Sequence, residues 1–276
     1  MGIITLANQL NHLLSQKATF YAEHFKAIDN LQQLPPNAHC LNSVLSATHY
    51  RPWLEQFALS YRVKGNVTGE ATREVDARAL HSMWSQWFFG LQLPPLLLWL
   101  FCCPPGSELQ RAIAAASSWD NWYFEAHESG RVETFYLLLS PEANYLASVS
   151  QLASWEQLLE RLLIPIVERL TCLSPVAAKL HFSHQAYIVH WYLGELSLPD
   201  SWRDQRINEI FARPELSLRV SDQPTINPFW RKLRLKEQQS ARIVCCLRHK
   251  LPCTQMCADC PLDKKARMHA GQKACG

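Results

Sequence analysis

Five cysteines crowd into one short stretch near the end of the chain: Cys245, Cys246, Cys253, Cys257 and Cys260. Four of them spell C-C, ten residues, then C-x-x-C. Thiolate is a soft ligand, and four on one loop suit an iron–sulfur cluster or a tetrahedral zinc ion. A C-x-x-C pair brings two sulfurs to one metal through a tight turn, and the ten-residue loop can return Cys245 and Cys246 as the second pair. Adjacency constrains the backbone. Neighbouring side chains of an extended strand point to opposite faces, so this pair serves one site only if the chain turns there or if two metals share the sulfurs. Zinc knuckles space their pairs as C-x2-4-C, so the tandem pair leans toward a two-iron cluster. Cys253, Cys257 and Cys260 also read C-x3-C-x2-C, the radical-SAM spacing. That chemistry needs a barrel built downstream, and only sixteen residues follow Cys260. Cys253 is then a fifth thiol beside the site.

Ten cysteines would suit a disulfide scaffold in a short secreted protein. Here they sit in 276 residues that are 48% hydrophobic, enough for a sizeable core in one large domain or two smaller ones. The start, Met1 to Asn8, lacks the basic residues and long apolar core of a signal peptide. A reducing compartment and metal-binding thiols follow. A net charge of +3 does not argue for nucleic acid. The most apolar run, Leu91 to Cys103, contains Gln92 and Pro94-Pro95 and falls short of the ~20 residues of a membrane span. It reads as a buried core helix.

Hydrophobic spacing predicts one or two helices over residues 1–30, ended by Pro35-Pro36, and a helix around Trp53–Tyr61 before a turn at Gly65-Asn66 and Gly69. A helix over residues 73–92 carries Leu80, Met83, Trp84, Trp87 and Phe88 on one side, with a kink or restart at Pro94-Pro95. Cys102-Cys103 has no C-x-x-C partner and reads as buried thiols. Residues 119–139 predict a β-hairpin turning at Gly130. Beyond it come a helix over Trp155–Leu173 bent at Pro165, a strand over Lys179–Ser183, a helix over His184–Leu196 and a polar helix around Arg203–Glu209. A second hairpin, Trp230–Lys236 with Arg242–Cys246, delivers the cysteine pair, its loop being Lys236–Ser240. The fold class is α+β: a mixed helical and β-hairpin body with a small cysteine-rich appendage that closes on its metal. The divisions are a helical N-terminal region (1–75), an α+β body (76–237) and the cysteine segment (238–276).

The cysteine stretch resembles the C-terminal segment of the FhuF-type ferric-siderophore reductases, whose C-C-x10-C-x-x-C signature Cys245, Cys246, Cys257 and Cys260 match. Flanking residues match too, from Arg242 to Arg248 and from Cys257 to Leu262. Upstream, similar blocks occur in the family's order at Trp84–Pro95, His127–Val132, Leu163–Val167, Tyr187–Tyr192 and Asn227–Arg231. The resemblance covers about residues 80–262 and is weak before residue 75. It implies a cytoplasmic protein holding one [2Fe–2S] cluster on those four cysteines and reducing iron(III) in hydroxamate siderophores by one electron. Cys253 and Cys275 are departures that leave the ligand set slightly open.

A cluster held by thiolates moves one electron at a time, which suits iron(III) to iron(II). Hard hydroxamate oxygens hold the ferric ion far better than the ferrous ion, so reduction releases iron. No G-x-G-x-x-G or Gly-rich loop occurs, so the electron must come from a separate donor protein of ferredoxin or flavin-reductase type. No nucleic acid and no transmembrane span enter this reading, although a peripheral seat at the inner membrane is compatible with it. The segment is basic, with Arg242, Arg248, His249, Lys250, Lys264, Lys265, Arg267 and Lys273. These steer an acidic donor or an anionic siderophore and raise the cluster potential, or else they are a solvated tail. Candidates for substrate contact are His127, Arg131, Tyr187, His190, Trp191 and Trp230. Each also has a plainer role: His190 as a core histidine, Arg131 as a surface residue after the turn. No Ser/His/Asp or paired-carboxylate arrangement supports hydrolysis. Two other readings remain: a zinc-knuckle binding module, which would be colourless, and an iron–sulfur redox sensor without turnover.

Overall fold

In the computed structural model residues 5–68, 75–104, 106–139, 150–217, 225–236, 239–252, 254–257 and 260–262 are described. The chain runs α1 (Leu6–Lys17), α2 (Thr19–His24), β1 (Phe25–Ile28), β2 (His39–Cys40), α3 (Leu41–Val44), α4 (Ala47–Thr68), α5 (Ala77–Cys102), α6 (Ser107–Ala116), β3 (Trp122–Ala126), β4 (Val132–Leu138), α7 (Gln151–Leu158), α8 (Ile164–Leu173), α9 (Ala178–Glu195), α10 (Asp200–Phe211), β5 (Leu233–Lys236) and β6 (Gln239–Arg242). The α+β class is as expected.

Helix α5 is the axis. The Asp76 carboxylate caps it, accepting from the Ala79 N–H at 2.9 Å. Every residue from Leu91 to Phe101 is buried. That explains why one helix runs through Pro94 and Pro95 instead of restarting there. Packing on all sides offsets the ~3 kcal/mol that an interior proline costs a lone helix. The main partner of α5 is α9.

On the other side lies a four-stranded sheet of order β1-β4-β3-β2. The expected hairpin is β3–β4, with Phe124 opposite Phe135. Its turn is closed by His127 N–H to Arg131 O and Gly130 N–H to His127 O, both 2.8 Å. Gly130 has φ +76, and a Cβ there would lie 2.0 Å from the Trp53 carbonyl oxygen. Only glycine fits this turn against α4. Trp84 and Trp87 of α5 clamp the hairpin, their indole N–H groups donating to the carbonyls of Gly130 and Val132 at 2.9 and 3.0 Å. Strand β1 pairs in parallel with β4, Phe25 opposite Phe135, where helix alone was expected. Its four residues are too few to show a period, and their partner is distant in sequence.

Four other expectations change. Residues 179–183 are the start of α9, not a strand. Leu180, His181 and Ser183 are buried there, and the polar His181 and Ser183, two residues apart, imitate strand alternation. Helix α4 runs to Thr68, through Gly65-Asn66; Gly69 lies outside the described residues. Between α7 and α8 a π turn spans Leu159–Leu163, closed by Ile164 N–H to the Leu159 carbonyl, and Pro165 follows it in α8. The second hairpin is tighter than expected, pairing Leu233 with Arg242 and Lys236 with Gln239. Cys245 and Cys246 therefore lie beyond its end. Among the described residues no helix is long and apolar enough to cross a membrane.

Candidate functional site

The chain leaves β6, passes Cys245 and Cys246, and turns at Leu247 (φ 63, ψ 2) into a 3-10 turn at Arg248–Lys250. Leu247 is a non-glycine residue in the left-handed region, so the chain turns sharply just after the cysteine pair. Cys246 Sγ lies 3.5 Å from Cys257 Sγ, and the Leu247 N–H points at Cys245 Sγ at 3.4 Å. The Cys260 N–H donates to the Cys257 carbonyl at 3.1 Å, the tight turn of C-x-x-C. Cys246 and Cys260 are buried, and Cys245 and Cys257 are partly so. Cys253 and Cys275 lie outside the described residues.

Cys246 lies between the other two thiols of this group. Hydrogen bonds from the Cys245 thiol, and then from the Cys257 thiol, hold its pKa far below the usual thiol range; the Arg248 N–H and the Arg242 charge add to this and outweigh burial. Cys245 and Cys257 move the opposite way, mainly because they donate to Cys246 and secondarily because they are buried. The sulfurs meet pairwise: among the described residues no three or more His, Cys, Asp or Glu side chains are gathered at metal-binding geometry. The chemistry of the donor set nevertheless fits a thiolate-ligated group. Soft sulfurs, backbone N–H groups directed at sulfur and an adjacent guanidinium all favour concentrated negative charge. Cys102 and Cys103 are partly buried elsewhere, and burial raises both, Cys103 to about 11.

Beneath the cysteines lies a buried polar floor that the sequence reading missed. Arg242 is 2% exposed. Its Nη1 lies 3.0 Å from His184 Nδ1, and its guanidinium sits 3.9 Å from the centre of the Tyr187 ring. An arginine can only donate, so His184 accepts at Nδ1 and carries its proton on Nε2. Nε2 contacts Ser82 Oγ at 2.9 Å, and Ser82 donates to the Cys246 carbonyl at 2.7 Å. A directed series of bonds thus runs Arg242 to His184 to Ser82 to Cys246. Alongside it, His181 Nδ1 meets Ser85 Oγ at 3.0 Å and His81 Nδ1 meets the Tyr50 hydroxyl at 2.9 Å. Burial holds His184 well below its ordinary pKa and lowers His81 and His181 to about 4, so all three are neutral near pH 7. The available signal was polar residues at helical spacing inside apolar helices: 81, 82 and 85 on α5, and 181 and 184 on α9.

Next to this floor opens a cavity of about 530 Å³. Phe20, Tyr21, Phe57 and Tyr61 wall one side, Met83, Gln86 and Trp87 of α5 another, and Tyr187 and Trp191 of α9 a third. Arg131 enters from the hairpin turn; Arg248 and Thr254 enter from the cysteine segment. Arg131 stacks on Trp87 at 4.4 Å. Three of the six predicted contact residues, Arg131, Tyr187 and Trp191, therefore share this cavity. The other three lie elsewhere. His127 is tied into the hairpin turn through Ser129 at 2.9 Å. His190 packs edge-on to Phe211, burial lowering its pKa. Trp230 stacks under Arg231 at 4.4 Å.

A protein called ferric siderophore reductase, from Escherichia coli (strain K12), is 30% identical to this chain over 187 residues, covering 67% of this chain and 66% of the relative. The chain belongs to the FhuF-type ferric siderophore reductase family. It spans about two thirds of that relative's length. No family model matches it. In this chain the cysteine segment and the aromatic cavity adjoin, because Arg248 lies two residues past Cys246 and also lines the cavity.

Proposed function

We propose that this protein is a ferric siderophore reductase that binds the iron(III) chelate in the aromatic cavity and delivers one electron to it from a [2Fe–2S] cluster held by Cys245, Cys246, Cys257 and Cys260. The supporting observation is the junction just described, where residues of the cysteine segment form part of the wall of a cavity large enough for a small ligand. When bound, the cluster supplies one-electron transfer. The chain's own residues do the rest. Arg242 places a positive charge beneath the sulfurs, which favours the reduced, more negative state. Ser82 and His184 fix the carbonyl of Cys246, and hence the direction of its side chain. Trp87, Tyr187 and Trp191 offer flat apolar faces to the chelate. Iron(III) is the substrate, its hydroxamate oxygens hold iron(II) weakly, and one-electron reduction frees the metal in the cytoplasm. The electron comes from a ferredoxin- or flavin-type donor drawn to the basic residues of segment 238–276.

Visible and EPR spectra of anaerobically purified protein test this, recorded as isolated, after dithionite, and after a ferric hydroxamate is added to the reduced sample. A rhombic one-electron signal that appears on reduction and disappears with the chelate is the expected result. A persistent signal would make the protein a redox sensor. A colourless sample with stoichiometric zinc would make it a binding module.

A further inference from the structure

The cavity differs from an ordinary apolar pocket in its charge and in its mouth. None of its lining residues is aspartate or glutamate, while two are arginines. Neither Arg131 nor Arg248 is in a salt bridge among the described residues. They approach from separate elements, the β3–β4 turn and the 3-10 turn after the cysteine pair. Both act on one wall residue: burial raises the pKa of the Tyr61 hydroxyl, and the fields of Arg248 and Arg131 pull it back. Phe20, Trp87 and Trp191 are large apolar side chains left exposed, and all three line this cavity. Gln86, also in the lining, has a buried Oε1 with no hydrogen-bond partner. Exposed aromatics and two guanidinium groups without a salt bridge among the described residues, gathered in one concavity, mark a ligand site.

We propose that this cavity selects ferric chelates of net negative charge, those carrying free carboxylates beyond their iron ligands, and that Arg131 and Arg248 read that charge. The proposal rests on the reductase reading and narrows its substrate. A tris-hydroxamate complex of iron(III) is neutral, because three ligand charges cancel the metal's. It offers an arginine pair nothing to hold. A citrate-bridged dihydroxamate keeps two hydroxamates and completes the iron's coordination with the citrate hydroxyl and carboxylate; its arms can carry further, free carboxylates, which a planar guanidinium binds in bidentate fashion. Arg131 is pre-set for this, because stacking on Trp87 orients its plane. Arg248 would draw the anion toward the cysteine segment.

The test measures binding without turnover, using the gallium(III) complexes of a neutral tris-hydroxamate and of a citrate-bridged dihydroxamate with free carboxylates. Gallium(III) is not reduced by the protein, so titration calorimetry on the cluster-loaded full chain reads affinity alone. The expected result is at least tenfold tighter binding of the anionic complex. Arg131→Gln and Arg248→Gln should each weaken it about tenfold while changing the neutral complex less than twofold. Arg131 belongs to the β3–β4 turn and not to the cysteine segment, so Arg131→Gln keeps the test valid if Arg248→Gln disturbs the cluster. Equal affinity for the two complexes, or no loss in either variant, would overturn the charge selection and leave the reductase reading intact. Failure of both complexes to bind, together with failure of both iron(III) forms to reoxidise the reduced protein, would overturn both.

Discussion

The two halves of α5 are built on opposite principles. From Leu91 to Phe101 the helix is buried and, apart from Gln92, apolar, and it carries two prolines without breaking. From Ala77 to Gly90 it buries His81, Ser82 and Ser85, and each of these is bonded to a group on another element. The first half holds the body together. The second holds a site, because its polar groups need partners in fixed places and so specify where α9 and the cysteine segment sit. Stability and site geometry are thereby divided along one helix.

The largest effect that would break this division is a cavity in the apolar half. Trp99→Ala should cost about 3–5 kcal/mol of unfolding free energy, read as a lower urea midpoint, with the visible spectrum of the surviving folded protein unchanged. A changed spectrum would show that the halves are coupled. Acid should strike the polar half instead. His81 and His181 are neutral in the fold, with pKa values lowered to about 4, while the unfolded chain protonates them near 6.5. Between those values the unfolded state binds more protons, so stability is complete above pH 6.5 and falls as the pH drops toward 4. Moving from pH 7 to pH 5 should remove roughly 1–2 kcal/mol per histidine, and His81→Gln should flatten the profile. An unchanged profile in that variant would remove His81 from the account. The smallest stability effect, about 1–2 kcal/mol, belongs to Ser82→Ala, which leaves the Cys246 carbonyl and His184 without a shared partner. Its signature is spectroscopic: the EPR line of a cluster bound as proposed should shift although the protein stays folded. A variant with reduced stability and an unaltered line would make Ser82 a packing residue only.

What the sequence made legible follows from the range of the forces involved. The β3–β4 hairpin was readable because alternation, a glycine turn and both strands lie within a few residues of one another. That Cys246 returns to Cys257 was readable because the spacing of the motif is local. Strand β1 was not, since its partner is remote and its four residues carry no period. Residues 179–183 misled because the buried His181 finds its partner in Ser85 of a distant helix, which no local pattern reveals. Arg242 was read as one of many basic residues of a charged segment. Only the tertiary structure separates it from Arg248, burying the first under Tyr187 and leaving the second in the cavity wall. Arg131, Tyr187 and Trp191 meet although they come from two distant stretches. His127, His190 and Trp230 have similar chemistry, but their surroundings use them for the turn and for aromatic packing.

The bond from Ser82 to the Cys246 carbonyl spans 164 positions of the chain, and this sets an order of assembly. The floor on which the cysteines rest belongs to α5 and α9, so it exists only after the body has folded. A nascent or misfolded chain carries the same thiols without that floor, without the buried guanidinium and without the turn at Leu247. Iron and sulfide delivered too early would meet a flexible run of thiols instead of a finished seat. If the cluster is bound as proposed, its loading would be a late event that reports on the whole fold, and the colour of a preparation would measure how much of it folded correctly.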